Sequence, residues 1–108
     1  MHRAVFMKAL RALKGLLERF GEWHEADVVR RALSGDDEDL REFLESNELW
    51  GGSGSIADQS GYSQGEAGRR AIRAVLIELG MKQLGEGIAN VRTRSWVDAF
   101  VDWQQEAD

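Results

Sequence analysis

Near its middle the chain reads LWGGSGSIADQSG over residues 49–61, and this stretch separates two halves with helical patterns. It contains four glycines and three serines beside two large apolar side chains, Trp50 and Ile56. A flexible linker has glycine and serine without such anchors. Because both apolar side chains favour burial, we expect an ordered loop held at both ends, with Ser55 capping a short turn that contains Asp58.

Three helices are predicted before this stretch. Apolar residues recur every three or four positions over residues 5–20 and again over 22–33, which is the spacing of one helix face. Gly15, inside the first pattern, indicates a close crossing by a neighbouring helix. A third, shorter helix is predicted to run to residue 45 with Asp36 as its N-cap.

Two more helices are predicted after the stretch. Residues 66–83 have apolar side chains on more than one face, which predicts a central helix contacted from two sides. Ser63 and Glu66 have the spacing of a capping box at its start. The last helix carries Trp96 and Trp103.

Length and composition set the class of protein. The chain has 108 residues, which suits a single domain over residues 1–108, and neither proline nor a convincing alternating strand pattern is present. We therefore predict an all-α compact bundle of about five helices, with one long ordered Gly/Ser-rich loop between helices 3 and 4.

The short apolar run 74–77 cannot span a bilayer and the N-terminus does not have a signal pattern, so a cytoplasmic location without membrane partners is expected.

The sequence offers no constellation for catalysis or metal binding. Without cysteine there is no thiolate nucleophile or Cys-ligated zinc site. The glycine stretch lacks the lysine of a nucleotide-binding P-loop. His2 and His24 do not form a metal pair, and His24, the one candidate base, has no nucleophile placed with it. We expect a protein that is not an enzyme and that uses no cofactor and no metal.

Charge is distributed unevenly along the chain. The net charge is −5, which argues against nonspecific nucleic-acid binding. Residues 36–48 contain seven acids and one basic residue, Arg41. Such a run is typical of a solvated helix face, and it can also steer the chain toward a basic protein. The compensating arginines, which suggest a homodimer through the acidic patch of a second copy, are Arg69, Arg70, Arg73, Arg92 and Arg94.

Four tryptophans are many for this length, and aromatic side chains serve both cores and interfaces. Trp23 and Trp96 fall on helix faces predicted to point inward. If one tryptophan is an exposed anchor for a partner, the candidates are Trp50, at the start of the glycine stretch, and Trp103, near the end of the last helix.

The segment Asn47-Glu48-Leu49-Trp50-Gly51-Gly52-Ser53-Gly54-Ser55-Ile56-Ala57-Asp58, preceded by a helix pair, resembles a group of small uncharacterised bacterial proteins with a Gly-Gly-x-Gly-Ser-x-x-Asp core. The resemblance covers residues 10–60. In general character the chain also resembles small acidic helical immunity proteins, which neutralise toxins delivered between competing bacteria. That resemblance implies an acidic surface around residues 36–48 that docks, with the adjacent loop, on a basic toxin.

The function predicted from these features is a noncatalytic protein-binding domain of the immunity or inhibitor type. One alternative is a small-molecule or anion-binding regulatory domain that uses the glycine-rich loop and nearby arginines. A phage-encoded anti-defence inhibitor would share the physics of the first hypothesis. The residues predicted to bind a partner are Asp36, Asp37, Glu38, Glu42, Glu45, Glu48, Trp50 and Asp58.

Overall fold

The structure, a computed structural model, describes residues 1–60 and 65–106, and these ranges contain helices and no β-strand. Five helices have eight residues or more, and two consist of a single turn. The compact all-α bundle predicted from the sequence is confirmed. In chain order the helices are α1 (Ala4–Arg19), α2 (Trp23–Ser34), α3 (Asp37–Leu44), α4 (Asn47–Trp50), α5 (Ile56–Gln59), α6 (Glu66–Glu86) and α7 (Thr93–Glu106).

Helix α6 is the centre of the bundle. It packs against α1 on one side and α7 on another, while α1 also packs against α2. The side chains of Ile72, Leu76 and Leu79 are fully buried along α6, and they meet a core that includes Phe6 of α1 and Phe100 of α7. The two-sided contact predicted for the fourth long helix is therefore confirmed.

Capping residues were predicted for the starts of α3 and α6. The Asp36 carboxylate accepts the Asp39 backbone N–H at 2.9 Å, and the Asp39 carboxylate accepts the Asp36 N–H at 3.1 Å, so Asp36 is the N-cap of α3. This reciprocal pair satisfies two backbone donors that a helix start leaves unpaired. Helix α6 begins at Glu66 with Gly65 as its N-cap. The capping role predicted for Ser63 lies outside the described residues.

The glycine-rich stretch contains the end of α4 and the whole of α5 instead of one continuous loop. Trp50 and Ile56 are 0% and 4% exposed, which confirms the two predicted anchors. The Ser55 hydroxyl accepts the Asp58 N–H at 3.0 Å and so caps α5 as predicted. A further contact comes from α7, where the indole N–H of Trp96 donates to the Gly51 carbonyl at 2.9 Å.

The close helix crossing lies at Gly80, and its prediction at Gly15 is wrong. A methyl group at Gly80 would collide with the Val97 side chain of α7 and would lie 3.2 Å from the Trp50 ring. At Gly15 the same methyl group would meet no atom within 4 Å. Only glycine at position 80 lets α7 and the Trp50 ring approach α6 this closely.

The inward orientation predicted for one tryptophan is wrong, and one of the two candidates for an exposed anchor is excluded. Trp23, the first residue of α2, was expected to point inward but is 66% exposed. Trp50, a candidate exposed anchor, is completely buried, whereas Trp103 is 41% exposed. Within the described ranges, no helix combines the length and the apolar character that crossing a bilayer requires.

Candidate acidic groove

A groove of about 400 Å³ lies between α2 and α3. Val28, Ala32 and Phe43 are apolar side chains in its lining, and each is buried against the core. The polar and charged residues of the lining, which with those three define the acidic groove, are Arg31, Asp39, Glu42, Ser46 and Glu48. Helical spacing places Asp39 and Glu42 on one face of α3, three residues apart.

The acidic groove keeps an uncompensated negative charge. Glu42 and Glu48 are both exposed, and neither forms a salt bridge with any of the residues described in the structure. Arg31, the cation in the lining, is bound to Asp27 at 3.1 Å. Carboxylates beside a low-dielectric apolar surface attract a cationic side chain more strongly than carboxylates surrounded by water.

Asp27, on the surface of α2, has a pKa that its neighbours shift. The hydrogen bond that Arg30 donates to the Asp27 carboxylate, at 2.6 Å, lowers the pKa of Asp27 below its ordinary value. The charges of Arg30 and Arg31 act in the same direction, and desolvation opposes them. Both arginines share this one carboxylate along α2, and the three acids in the groove lining still outnumber Arg31.

The groove continues toward the glycine-rich stretch. Val28 and Glu48 also line a small cavity of about 40 Å³, whose other described walls include His24, Gly54 and Ile56. The acidic helix and the loop therefore border one continuous surface. Glu48, in α4, lines both the acidic groove and the small cavity, so it connects the two.

Three of the predicted contact residues lie at the other end of α3. Asp36, Asp37 and Glu38 line a separate, shallower depression together with Arg3. Arg3 approaches Asp37 at 3.3 Å and also donates to the carbonyl of Leu33 at 2.6 Å. Part of the negative charge at this end is thus neutralised within the chain.

The remaining predicted residues have roles inside the fold. Glu45 lies 3.4 Å from Arg41 on α3. One carboxylate oxygen of Asp58 accepts the Gly54 N–H at 3.0 Å. Trp50 cannot touch a partner because its side chain is fully buried, which corrects its assignment to the contact surface.

Sequence reasoning missed Asp39 and the apolar lining of the groove. Asp39 is one of the seven acids of residues 36–48 but was not among the predicted contact residues, although its spacing from Glu42 places both carboxylates on one helix face. Val28 and Phe43 are both buried against the core. Their second role depends on the gap between α2 and α3, which only the packed helices define.

The glycine-rich stretch uses several of its polar groups internally. The Gly54 N–H is bound to Asp58, and the Ser55 N–H donates to the Gly52 carbonyl at 3.2 Å. The Ser55 hydroxyl donates to the Gly51 carbonyl, and no hydrogen bond joins His24 to a serine within residues 1–60 and 65–106. The Asp58 carboxylate thus occupies a backbone donor that an anion would need. Among the described residues, no group of three metal-ligating side chains is present.

The chain matches no protein-family model, no curated protein and no solved structure. The fold and the site define an all-α domain with an acidic groove between two of its helices.

Proposed function

We propose that the protein is a noncatalytic protein-binding domain of the immunity or inhibitor type, which receives a basic segment of its partner in the acidic groove. The observation that carries this proposal is the pairing of an apolar lining with two exposed carboxylates, Glu42 and Glu48, that have no salt bridge within the described residues. A lysine or arginine has an apolar stem and a cationic head, so one side chain can use both features.

The groove favours a protein over a simple metal ion or small acid. Its apolar side chains offer contact area that a metal ion cannot use, and its carboxylates repel an anion. Electrostatic complementarity raises the rate of encounter with a basic partner and selects against acidic ones. A bacterial toxin with a basic active-site rim is the partner that the resemblance to immunity proteins implies, and a phage-encoded inhibitor of a basic defence protein would use the same contacts.

The test compares capture of binding partners by three forms of the full chain. The groove variant carries Glu42→Gln and Glu48→Gln. The matched control carries Asp98→Asn and Asp102→Asn, two exposed carboxylates on α7, and therefore loses the same number of negative charges. We expect the wild-type chain and the control to capture one basic protein, and salt to release it. The groove variant should capture about tenfold less of this protein.

The purified partner is then titrated by calorimetry against all three forms. Cross-links from the partner should map to α2 and α3. Equal binding by the groove variant, or cross-links confined to other helices, would reject the groove as the docking site. Failure to capture any basic protein, with no toxin gene beside the coding gene, would count against the proposed class as a whole.

A further inference from the structure

Arg73 of α6 is held against two aromatic rings of α7. Its guanidinium carbon lies 4.7 Å from the centroid of the Trp103 ring and 5.7 Å from that of Phe100. The two rings are themselves in contact, with centroids 5.7 Å apart. Such stacking restricts the plane of the guanidinium, so its N–H groups are oriented before any ligand arrives.

The charge of Arg73 is not matched within the part of the chain that the structure describes. Its Nε atom is buried without a hydrogen-bond partner there, and none of the described carboxylates forms a salt bridge with it. Burial, and then the nearby charge of Arg69, lower the pKa of Arg73. An arginine remains protonated under such shifts, so Arg73 is a half-buried cation that gains from an added anion.

A small cavity of about 150 Å³ adjoins this guanidinium. Its described lining contains one acid, Glu66, and the amide of Gln104, which is fixed by a 3.2 Å hydrogen bond to the Arg70 carbonyl. Arg69 and Arg70 also line the cavity, but both take part in other interactions, which leaves Arg73 as the candidate ligand. The three arginines follow the i, i+1, i+4 spacing that places them around one edge of α6.

We propose that this cavity binds a phosphate group, with Arg73 as its principal ligand. A planar guanidinium donates two parallel hydrogen bonds to a tetrahedral oxyanion, which a lysine cannot do. A phosphate carries more negative charge at neutral pH and more acceptor oxygens than a carboxylate, so it gains more from the Arg73 guanidinium. Arg73 lies beyond the first turn of α6, where the helix dipole has little effect, so its own guanidinium supplies the positive charge for the phosphate.

This site goes beyond the protein-binding role, because the described lining of the cavity shares no residue with the acidic groove. Anion binding was considered above for the glycine-rich stretch, whereas this cavity lies between α6 and α7. The phosphate could belong to a free metabolite or to a phosphorylated side chain, and both present the same group to Arg73.

The test titrates inorganic phosphate into the full chain at constant ionic strength and follows the arginine Nε–H and tryptophan indole N–H signals by NMR. We expect saturable shifts at Arg73 and Trp103 with millimolar affinity. Arg73→Lys, which keeps the charge, should weaken binding about tenfold. The exposed Arg94→Lys serves as the matched control and should change the affinity less than about twofold.

A second variant, Trp103→Leu, removes the stacking ring and retains Arg73, and it should weaken binding about threefold. Titration with acetate tests the preference for phosphate and should give binding about tenfold weaker. Phosphoserine and a phosphoserine peptide then distinguish a free metabolite from a phosphorylated segment. The proposal fails if no saturable shift appears below about 50 mM phosphate, if Arg94→Lys weakens binding as much as Arg73→Lys, or if phosphate acts only by dissociating a dimer.

Discussion

The indole N–H of Trp50 donates a 2.8 Å hydrogen bond to the side-chain carbonyl of Gln83, and both side chains are 0% exposed. The amide nitrogen of Gln83 donates in turn to the carbonyls of Leu44 at 2.8 Å and Ile88 at 2.9 Å. One buried glutamine of α6 therefore ties together the end of α3, the single turn α4 and the segment after α6. This arrangement holds the glycine-rich stretch against the core and fixes the end of α3 that borders the acidic groove.

Replacing Gln83 with leucine should destabilise the protein by about 3 kcal/mol. Leucine preserves much of the volume but leaves one buried donor, on Trp50, and two buried carbonyls without their partner. Urea unfolding monitored by circular dichroism measures the change. Gln105→Leu, on the exposed side of α7, should alter the free energy of unfolding by less than about 0.5 kcal/mol. A loss below about 1 kcal/mol for Gln83→Leu would show that these hydrogen bonds contribute little.

Two of the glycines inside helices should respond to alanine with opposite signs. Gly80→Ala should destabilise the protein by about 2 kcal/mol, because the new methyl group collides with Val97. Gly15→Ala should stabilise it by about 1 kcal/mol, since the position is open and alanine favours helix. Thermal and urea unfolding of both variants provide the comparison. Adding Val97→Ala to Gly80→Ala should recover part of the loss, and the absence of any recovery would contradict the proposed collision.

Trp23 should be the most accessible tryptophan in solution. At 66% exposure it contributes the component of the fluorescence that acrylamide quenches most readily. Trp23→Phe should therefore reduce quenching and shift the emission maximum to shorter wavelength, with stability changed by less than about 0.5 kcal/mol. Trp103→Phe is the comparison variant and should have a smaller effect. If Trp23→Phe left quenching unchanged, the inward orientation predicted from the sequence would regain support.

The Asp27 carboxyl should titrate below the ordinary aspartate pKa of 3.8. A depressed folded-state pKa means that its ion pairs contribute stability above the unfolded-state pKa and lose it as the pH falls through the folded value. Carboxyl NMR titration measures this pKa directly. Arg30→Gln removes the main hydrogen bond and should raise the pKa of Asp27, whereas Arg41→Gln on α3 should not change it. An unchanged value in Arg30→Gln would contradict the assigned cause.

The Ser55 hydroxyl cap should contribute measurably to the glycine-rich stretch. Ser55→Ala removes the acceptor for the Asp58 N–H and should cost about 1 kcal/mol. Hydrogen exchange at Asp58 is expected to accelerate more than exchange in the α6 core. Ser53→Ala, at an exposed position of the same stretch, is the matched control. Equal exchange rates in the two variants would argue against the cap.

Much of the fold follows from local patterns in the sequence. Periodic apolar residues predicted the long helices, and the Asp36 capping box and the Ser55 cap followed from side chains acting on nearby backbone groups. The burial of Trp50 and Ile56 followed from their size and apolar character. These interactions join residues a few positions apart or depend on one side chain alone, so the sequence by itself determined them.

Tertiary packing decided the rest, because it joins residues far apart in the chain. Trp50 and Gln83 are separated by 33 positions, and neither side chain reveals its partner from local spacing. Gly15 and Gly80 look alike within helical patterns, and only the approach of α7 makes one of them necessary. The acidic groove exists in the gap between α2 and α3, so the sequence supplied its carboxylates while the packing of two helices supplied the surface that places them together.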